Sequence, residues 1–504
     1  MPSERRLHPL SFVFHVGGQL QQLVVPGLVL LVGAGSAGLD WQIWAMSLII
    51  PSALFSLLRC LSFRYRFDDT ELVITSGFIF RKERHLPYAR VQNIDARQNL
   101  LHRFFRVVEV RIETGGGEEP EAAMRVLPLP ALGEIRDRVF AGRSSTRPDV
   151  AEDAVTPEVQ TLLELRPREL LLAGFIDSRG MVIAGAAFGL LWELGLFDRT
   201  MDMIFGENAS GRGLARRVFR AVFDGGPWPV GQVLQMALVF VAVLFGLRIL
   251  SMVWSLIRLY GFRLERSGDD LQARFGLFTR VMANIPLHRI QTLTIREGPF
   301  HRLSKTVSIR VDSAGSDAKP GSSGTAVKRE SLAPIVRRAQ LPQLLHDVLP
   351  EIDLTEVAWR PVHPRAFRRV IKVSIVFYSV MSVPFISVLD WWSLIVIVPL
   401  AFFAYADARM RVRHLGWALG DRAVLFRSGW LIREQTIARF TKIQSVTLGE
   451  SPFDRRNEMA SVRVDTAGAG DASHRVAIPY LGRDTAGEVY EQLSDEAART
   501  SFRW

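Results

Sequence analysis

The chain has 504 residues, 48% of them hydrophobic and 22% charged, and its mean hydropathy is +0.15. A chain of this length excludes a single core, and apolar content above the soluble norm beside ordinary charge content implies segregated apolar and polar segments. The lone cysteine, Cys60, excludes an intramolecular disulfide framework and any multi-cysteine metal centre, while a net charge of +11 points to an anionic partner.

A bilayer core asks for about 20 mainly apolar residues per helix. Six segments meet or approach that length, in three pairs: Leu20–Gly38 with Trp41–Leu58, Leu170–Phe197 with Val230–Leu256, and Val370–Leu389 with Trp391–Ala406. Small residues from Gly33 to Ala37 resemble a signal-peptide cleavage region, but a second apolar segment follows at once and the pairing recurs, so retention is expected. The tight turns at Asp40 and Asp390 carry no Arg or Lys, whereas the opposite helix ends carry Arg5, Arg6, Arg59, Arg64, Arg368, Arg369, Arg411 and Arg413. The excess of positive charge puts those ends, and the polar stretches beyond them, in the cytoplasm. Residues 198–229 form an external loop in this topology, with an amphipathic stretch around Leu214, Val218, Ala221 and Val222.

Each pair is followed by a repeated polar stretch. The copies align without gaps on Gln92, Gln291 and Gln444. Around these anchors lie Gly77, Gly276 and Gly429 upstream, and downstream Arg103, Arg302 and Arg455, then Arg111, Arg310 and Arg463, then Gly116, Gly315 and Gly468. VRIET, IRVDS and VRVDT alternate as half-buried strands, and the upstream glycines sit where two strands meet at a turn or bulge. Helices are predicted over Ala131–Phe140, Leu341–Leu349 and Thr485–Leu493. Short antiparallel strands closed by one helix give a small helix-capped β-barrel. The domain plan is a hairpin at 1–62 with a β domain at 63–142, a linker at 143–165, a hairpin at 166–259 with a β domain at 260–350, and a junction and hairpin at 351–409 with a β domain at 410–497. The three equivalent units are expected to pack about a pseudo-threefold axis.

With RVQN, RIQT and KIQS each followed by an Arg and then by V/I-R-V/I-D/E-T/S-x-G, nearly the whole chain resembles the bacterial pleckstrin-homology-like (PH-like) membrane proteins of the YdbT type. The resemblance implies a membrane α + β fold: six transmembrane helices in three hairpins, each hairpin followed by a cytoplasmic PH-like β-barrel with a C-terminal helix. It also implies a multi-pass protein of the bacterial inner membrane and, as a partner, a shorter relative with a single unit. In the third copy Arg439 replaces Pro87 and Pro286, so the domains are not interchangeable.

Acidic first turns, DDTE at 68–71 and SGDD at 267–270, argue against phosphoinositide recognition. The three glutamines suit a bulge or an unpaired backbone group. Arg103, Arg302 and Arg455 suit strand or interface anchors, and Arg111, Arg310 and Arg463 suit ion pairs with Glu113, Asp312 and Asp465. No HExxH, nucleophile elbow, P-loop or metal-spaced histidine set is present, so neither catalysis, cofactor nor metal is expected. The positive charge lies at helix ends, which favours the lipid bilayer over nucleic acid as partner. The function expected is a non-catalytic scaffold, with a role in envelope-stress or toxic-peptide resistance implied by the resemblance. Its rival is lipid or small-molecule export between the helices, for which Glu193 is the candidate intramembrane polar group. The assembly state stays open.

Overall fold

Backbone pairing decides how these repeats assemble. The computed structural model describes residues 5–6, 58, 62–77, 80–114, 122–145, 159–177, 185, 189, 230–313, 332–352, 357–389, 393–466 and 476–499. They fall into two compact units, one comprising Met1–Leu163, Leu264–Arg274 and Thr279–Trp504, the other Glu164–Arg263 and Phe275–Phe278.

The first repeat has a meander of β2 (Arg64–Phe67), β3 (Glu71–Ser76) and β4 (Lys82–Pro87), extended by the two-residue β1 (Arg5–Arg6). A 3-10 turn at Tyr88–Arg90 leads to a second meander of β5 (Val91–Gln98), β6 (Val107–Thr114) and β7 (Ala122–Pro128). The short α1 (Leu100–Phe104) fills the β5–β6 turn and α2 (Leu129–Ser145) closes the repeat. Alternation does the folding: Val110 and Ile112 of β6 are fully buried with Leu72, Leu86, Met124 and Ile135. Each such side chain contributes about 1.5–3 kcal/mol.

Between the first and second repeats lie β8 (Val159–Glu164), α3 (Pro167–Ile176) and α4 (Val230–Leu259). The second repeat continues with β9 (Arg263–Ser267), β10 (Asp270–Phe275), β11 (Arg280–Pro286), β12 (Ile290–Glu297), α5 (Pro299–Ser304), β13 (Thr306–Ser313), β14 (Ala333–Arg337) and α6 (Leu341–Val348). The third has β15 (Arg360–Pro361), α7 (Ala366–Leu389), α8 (Ser393–His414), β16 (Gly416–Leu419), β17 (Ala423–Ser428), β18 (Arg433–Arg439), β19 (Ile443–Gly449), α9 (Pro452–Arg455), β20 (Met459–Thr466), β21 (Val476–Gly482) and α10 (Arg483–Arg499). The repetition reaches single residues. Arg106, Lys305 and Glu458, each just after the short turn helix, take left-handed backbone at φ of 55°, 53° and 56°. The carbonyl of each accepts the amide that opens the closing segment, from Leu129, Arg338 and Arg483.

One expectation is corrected. A closed barrel in each repeat would pair its third and fourth strands, and these strands instead pair with the neighbouring repeat. The first seven-stranded sheet runs β7-β6-β5-β11-β10-β9-β8, the second β14-β13-β12-β18-β17-β16-β15. The outer halves, β1-β2-β3-β4 and β19-β20-β21, remain separate sheets. The two cross-repeat junctions share one register: Arg280 faces Gln98 in the first, and Arg433 faces Glu297 in the second. Each pair occupies equivalent positions of the repeat alignment.

Smaller corrections follow from backbone pairing as well. The predicted linker 143–165 ends in a strand, β8, and its first residues belong to α2, which runs on to Ser145. The continuous helix expected over Leu170–Phe197 is interrupted, since α3 ends at Ile176 and Asp177 is extended. The first hairpin, 1–62, and the external loop 198–229 lie outside the described residues apart from Arg5, Arg6, Leu58 and Ser62. Among the described residues one helix, α4 over Val241–Leu259, is long and apolar enough to cross a bilayer.

Helices α3 and α4 pack through small residues. Ser251 Oγ donates to the carbonyl of Gly174 at 2.9 Å and Ser255 Oγ to that of Leu170 at 3.1 Å. Arg248, in the middle of this apolar stretch, donates to the carbonyl of Phe175 at 2.7 Å and lies over the Phe175 ring. A Cβ on Gly174 would stand 2.7 Å from Met252 Cα and 2.8 Å from the Ser251 carbonyl oxygen. Close backbone approach is how helices associate where lipid removes the hydrophobic drive. Gly174→Val should therefore lower the thermal midpoint in lipid discs. Gly133→Ala, whose Cβ would enter open space on α2, should raise stability by about 0.5–1 kcal/mol.

Candidate functional site

The repeated glycine makes a hairpin tip. Gly77, Gly276 and Gly429 have φ of 105°, 111° and 79°, and a Cβ at Gly77 or Gly429 would collide with the carbonyl of Phe80 or Ile432. No other residue type fits without strain. In the third repeat the tip reaches α8, where Trp430 Nε1 donates to Asp407 Oδ1 at 2.8 Å. Asp407 is buried and also accepts from Arg411 Nε at 3.0 Å, one helical turn on. An open cleft of about 640 Å³ lies here, lined by Ser374, Tyr378, Phe403, Asp407, Trp430 and Tyr480. In the second repeat the tip amides of Gly276 and Leu277 donate to the carbonyls of Tyr260 and Ile257, at the end of α4. A hairpin tip hooked onto the end of the preceding apolar helix is thus seen in two repeats, by different bonds.

A second set of contacts joins the second and third repeats. Arg302 donates to the carbonyls of Trp430 at 3.1 Å and Leu431 at 2.9 Å, so one repeat clamps the tip of the next. Arg439 donates back to the carbonyls of Leu287 at 2.9 Å and Ile290 at 2.5 Å. Burial lowers the Arg439 pKa from its ordinary value and Glu351 opposes the shift; a guanidinium stays charged in such a site. Glu297 takes Arg338 of its own repeat at 3.3 Å and Arg433 of the next at 3.8 Å, and Arg296 pairs with Glu434 at 3.3 Å. Charged donors aimed at carbonyls and a carboxylate fix register more firmly than neutral bonds do.

The residues singled out in sequence separate by role. Gln92, Gln291 and Gln444 all sit at a register shift, between Val91 and Asn93, Ile290 and Thr292, and Ile443 and Ser445. Gln291 Nε2 turns to the carbonyl of Arg289 at 3.3 Å. Arg103, Arg302 and Arg455 occupy one place on the turn helices α1, α5 and α9. Arg111 pairs with Glu109 at 3.0 Å. Asp312 and Asp465 accept from the hydroxyls of Thr292 and Ser445 on the adjoining strand, so these acids serve the bulge. Arg310 and Arg463 lie on β13 and β20. Gly116, Gly315, Gly468 and Glu193 lie outside the described residues.

Three features escaped the sequence reading. Asp407 directly follows an apolar run and passed as part of a helix end. Arg439 was visible as a departure from proline without a partner to explain it. Arg81, Arg280 and Arg433 stand at one repeat position, eleven before the anchoring glutamine, and that count would have found them.

Two-meander β domains, each closed by a helix and strung on apolar helices, define a tandem protein of PH-like domains. The chain belongs to the Bacterial PH domain family, whose model matches residues 22–143, 218–350 and 370–497. It is similar to the UPF0699 transmembrane protein YdbT of Bacillus subtilis (strain 168), with 22% identity over 522 residues covering 99% of each chain. No solved structure matches.

Two substitutions test this site. Trp430→Phe keeps the ring and removes the donor to Asp407, so stability should fall by about 1.5–3 kcal/mol. Arg302→Ala should free the third-repeat tip, read as faster hydrogen exchange at Leu431 and Ile432, while the core of the second repeat keeps its protection.

Proposed function

We propose that this protein is a non-catalytic integral-membrane scaffold whose PH-like domains form a platform for protein partners. In this reading six transmembrane helices in three hairpins anchor three domains on the cytoplasmic face of the bacterial inner membrane. The observation that carries it is the strand pairing from one repeat to the next, which joins consecutive domains into continuous sheets. Such joining fixes the spacing of surfaces, as a platform requires, and a set of independent binding modules would not need it.

The membrane part of the proposal has three supports. Helix α4 is long and apolar enough to span, and its Phe245, Ile249 and Trp254 are exposed, as lipid-facing side chains are. Helices α7 and α8 expose Val376, Phe377, Val380 and Phe402 in the same way. The full-length relative is named a transmembrane protein. Exposed Phe104 on α1 and Leu303 on α5 give the turn helices apolar surface of their own. Resistance to envelope stress or toxic peptides is the role this platform would serve.

A second reading, passage of a lipid or small solute, draws on the cleft beside Asp407. Extraction in native lipid discs followed by mass spectrometry separates the two. The scaffold reading expects a protein at fixed stoichiometry, foremost a shorter single-unit relative, which remains when Asp407→Asn alters the cleft. One enriched lipid with no protein partner, lost in Asp407→Asn, would overturn scaffolding in favour of passage.

A further inference from the structure

Two strand edges are left over by the rule that joins the repeats. At both junctions the first strand of one repeat's second meander pairs with the last strand of the next repeat's first meander: β5 with β11, and β12 with β18. Among the described residues the equivalent outer edges of β19 and β4 have no strand paired to them. Both are edge strands among the described residues, in separate sheets. An edge strand presents a row of unpaired amides and carbonyls, a template for another strand.

The open edge of β19 keeps the composition of the paired β12, while β4 is more highly charged than β11 or β18. Along β12, Gln291, Thr292, Leu293, Ile295 and Glu297 are buried, while in β19 the equivalent Gln444, Ser445 and Leu448 are exposed. In β4, Lys82, Glu83, Arg84 and His85 are exposed, whereas in β18 the equivalents of the first three, Glu434, Gln435 and Thr436, are half-buried and that of His85, Ile437, is buried. Charge on β4 is not by itself an edge guard. β18 carries Arg433, Glu434 and Arg439 and is paired on both sides.

An arginine stands at the same place in both junctions. Arg280 faces Gln98 and Arg433 faces Glu297. The third arginine of this repeat position is Arg81, which is exposed, and the third member of the facing position is Glu450. Glu297 holds Arg338 within its own repeat and takes Arg433 from the next. Glu450 holds the equivalent Arg483 at 3.3 Å, which leaves its cross-junction place to be filled. Arg455 repeats the clamp residue Arg302 beside the same edge and is exposed.

The geometry points to head-to-tail self-association: β19 of one copy adds to β4 of a second copy of this chain, antiparallel, with Glu450 facing Arg81. Transferring the observed register residue by residue sets Leu448 opposite Glu83, Val446 opposite His85 and Ser445 opposite Leu86. The occupant is a second copy because the same chain carries both complementary edges in the register its own junctions use twice. The interface is heterologous, so it propagates until a ring closes or a filament grows. Confinement to one membrane raises the effective concentration of the two edges. The inference rests on the junctions and is independent of the scaffold reading.

Disulfide trapping in native membranes tests it. In a Cys60→Ser background, one tagged copy carries Arg81→Cys and a differently tagged copy carries Glu450→Cys. Residues facing each other across an antiparallel pair have Cα atoms about 4.5–5.5 Å apart, within disulfide range. Oxidation should yield a linked species holding both tags, and it should be lost when Ser445→Cys replaces Glu450→Cys. A chain carrying Glu297→Cys and Arg433→Cys, which should close its internal disulfide, verifies fold and oxidation in the same membranes. Absence of the two-tag species while that control closes would overturn the proposal. So would linkage confined to single chains carrying both Arg81→Cys and Glu450→Cys, which would mean that the ladder closes within one molecule. Equal linkage on and off register would contradict it too.

Discussion

A strand edge cannot be left dry and unpaired, and in this protein that constraint decides the architecture. Each repeat supplies two short meanders whose inner edges do not meet each other. Left so, each domain would present rows of unpaired amides and carbonyls, open to pairing with any other strand. Pairing with the next repeat satisfies them and turns a row of domains into two continuous seven-stranded sheets. The ion pairs of Glu297, the Arg302 clamp and the Arg439 return bonds all lie along this seam. They hold a register that the ladder sets.

The same constraint couples the β domains to the helices that precede them. The hairpin tip after Gly429 is short, and it hooks Asp407 through Trp430. Because Arg302 of the preceding repeat grips the carbonyls of that tip, the seam and the hook share residues. A few polar contacts thus run from α8 through the tip to the neighbouring domain.

Much of this was legible from residue order. The glycines announced positive φ, the glutamines marked the bulges, and alternation in VRIET and its relatives located the central strands. Partnership between repeats was not legible. A strand's pattern states which face is buried and is silent about which edge is paired, so a closed barrel and an open ladder share one sequence pattern. β8 escaped because Val159–Glu164, VQTLLE, does not alternate and sits beside a polar stretch that reads as linker. Asp407 escaped because its partner Trp430 lies 23 residues away, beyond any local signal.

The central claim is that neighbouring repeats are one cooperative sheet. Hydrogen exchange in lipid discs under rising denaturant measures it most directly. The account predicts that amides of β12 and β18 open together, with one free energy and one denaturant dependence, although they belong to different repeats. Opening of β18 with the rest of the third repeat while β12 keeps its protection would contradict it.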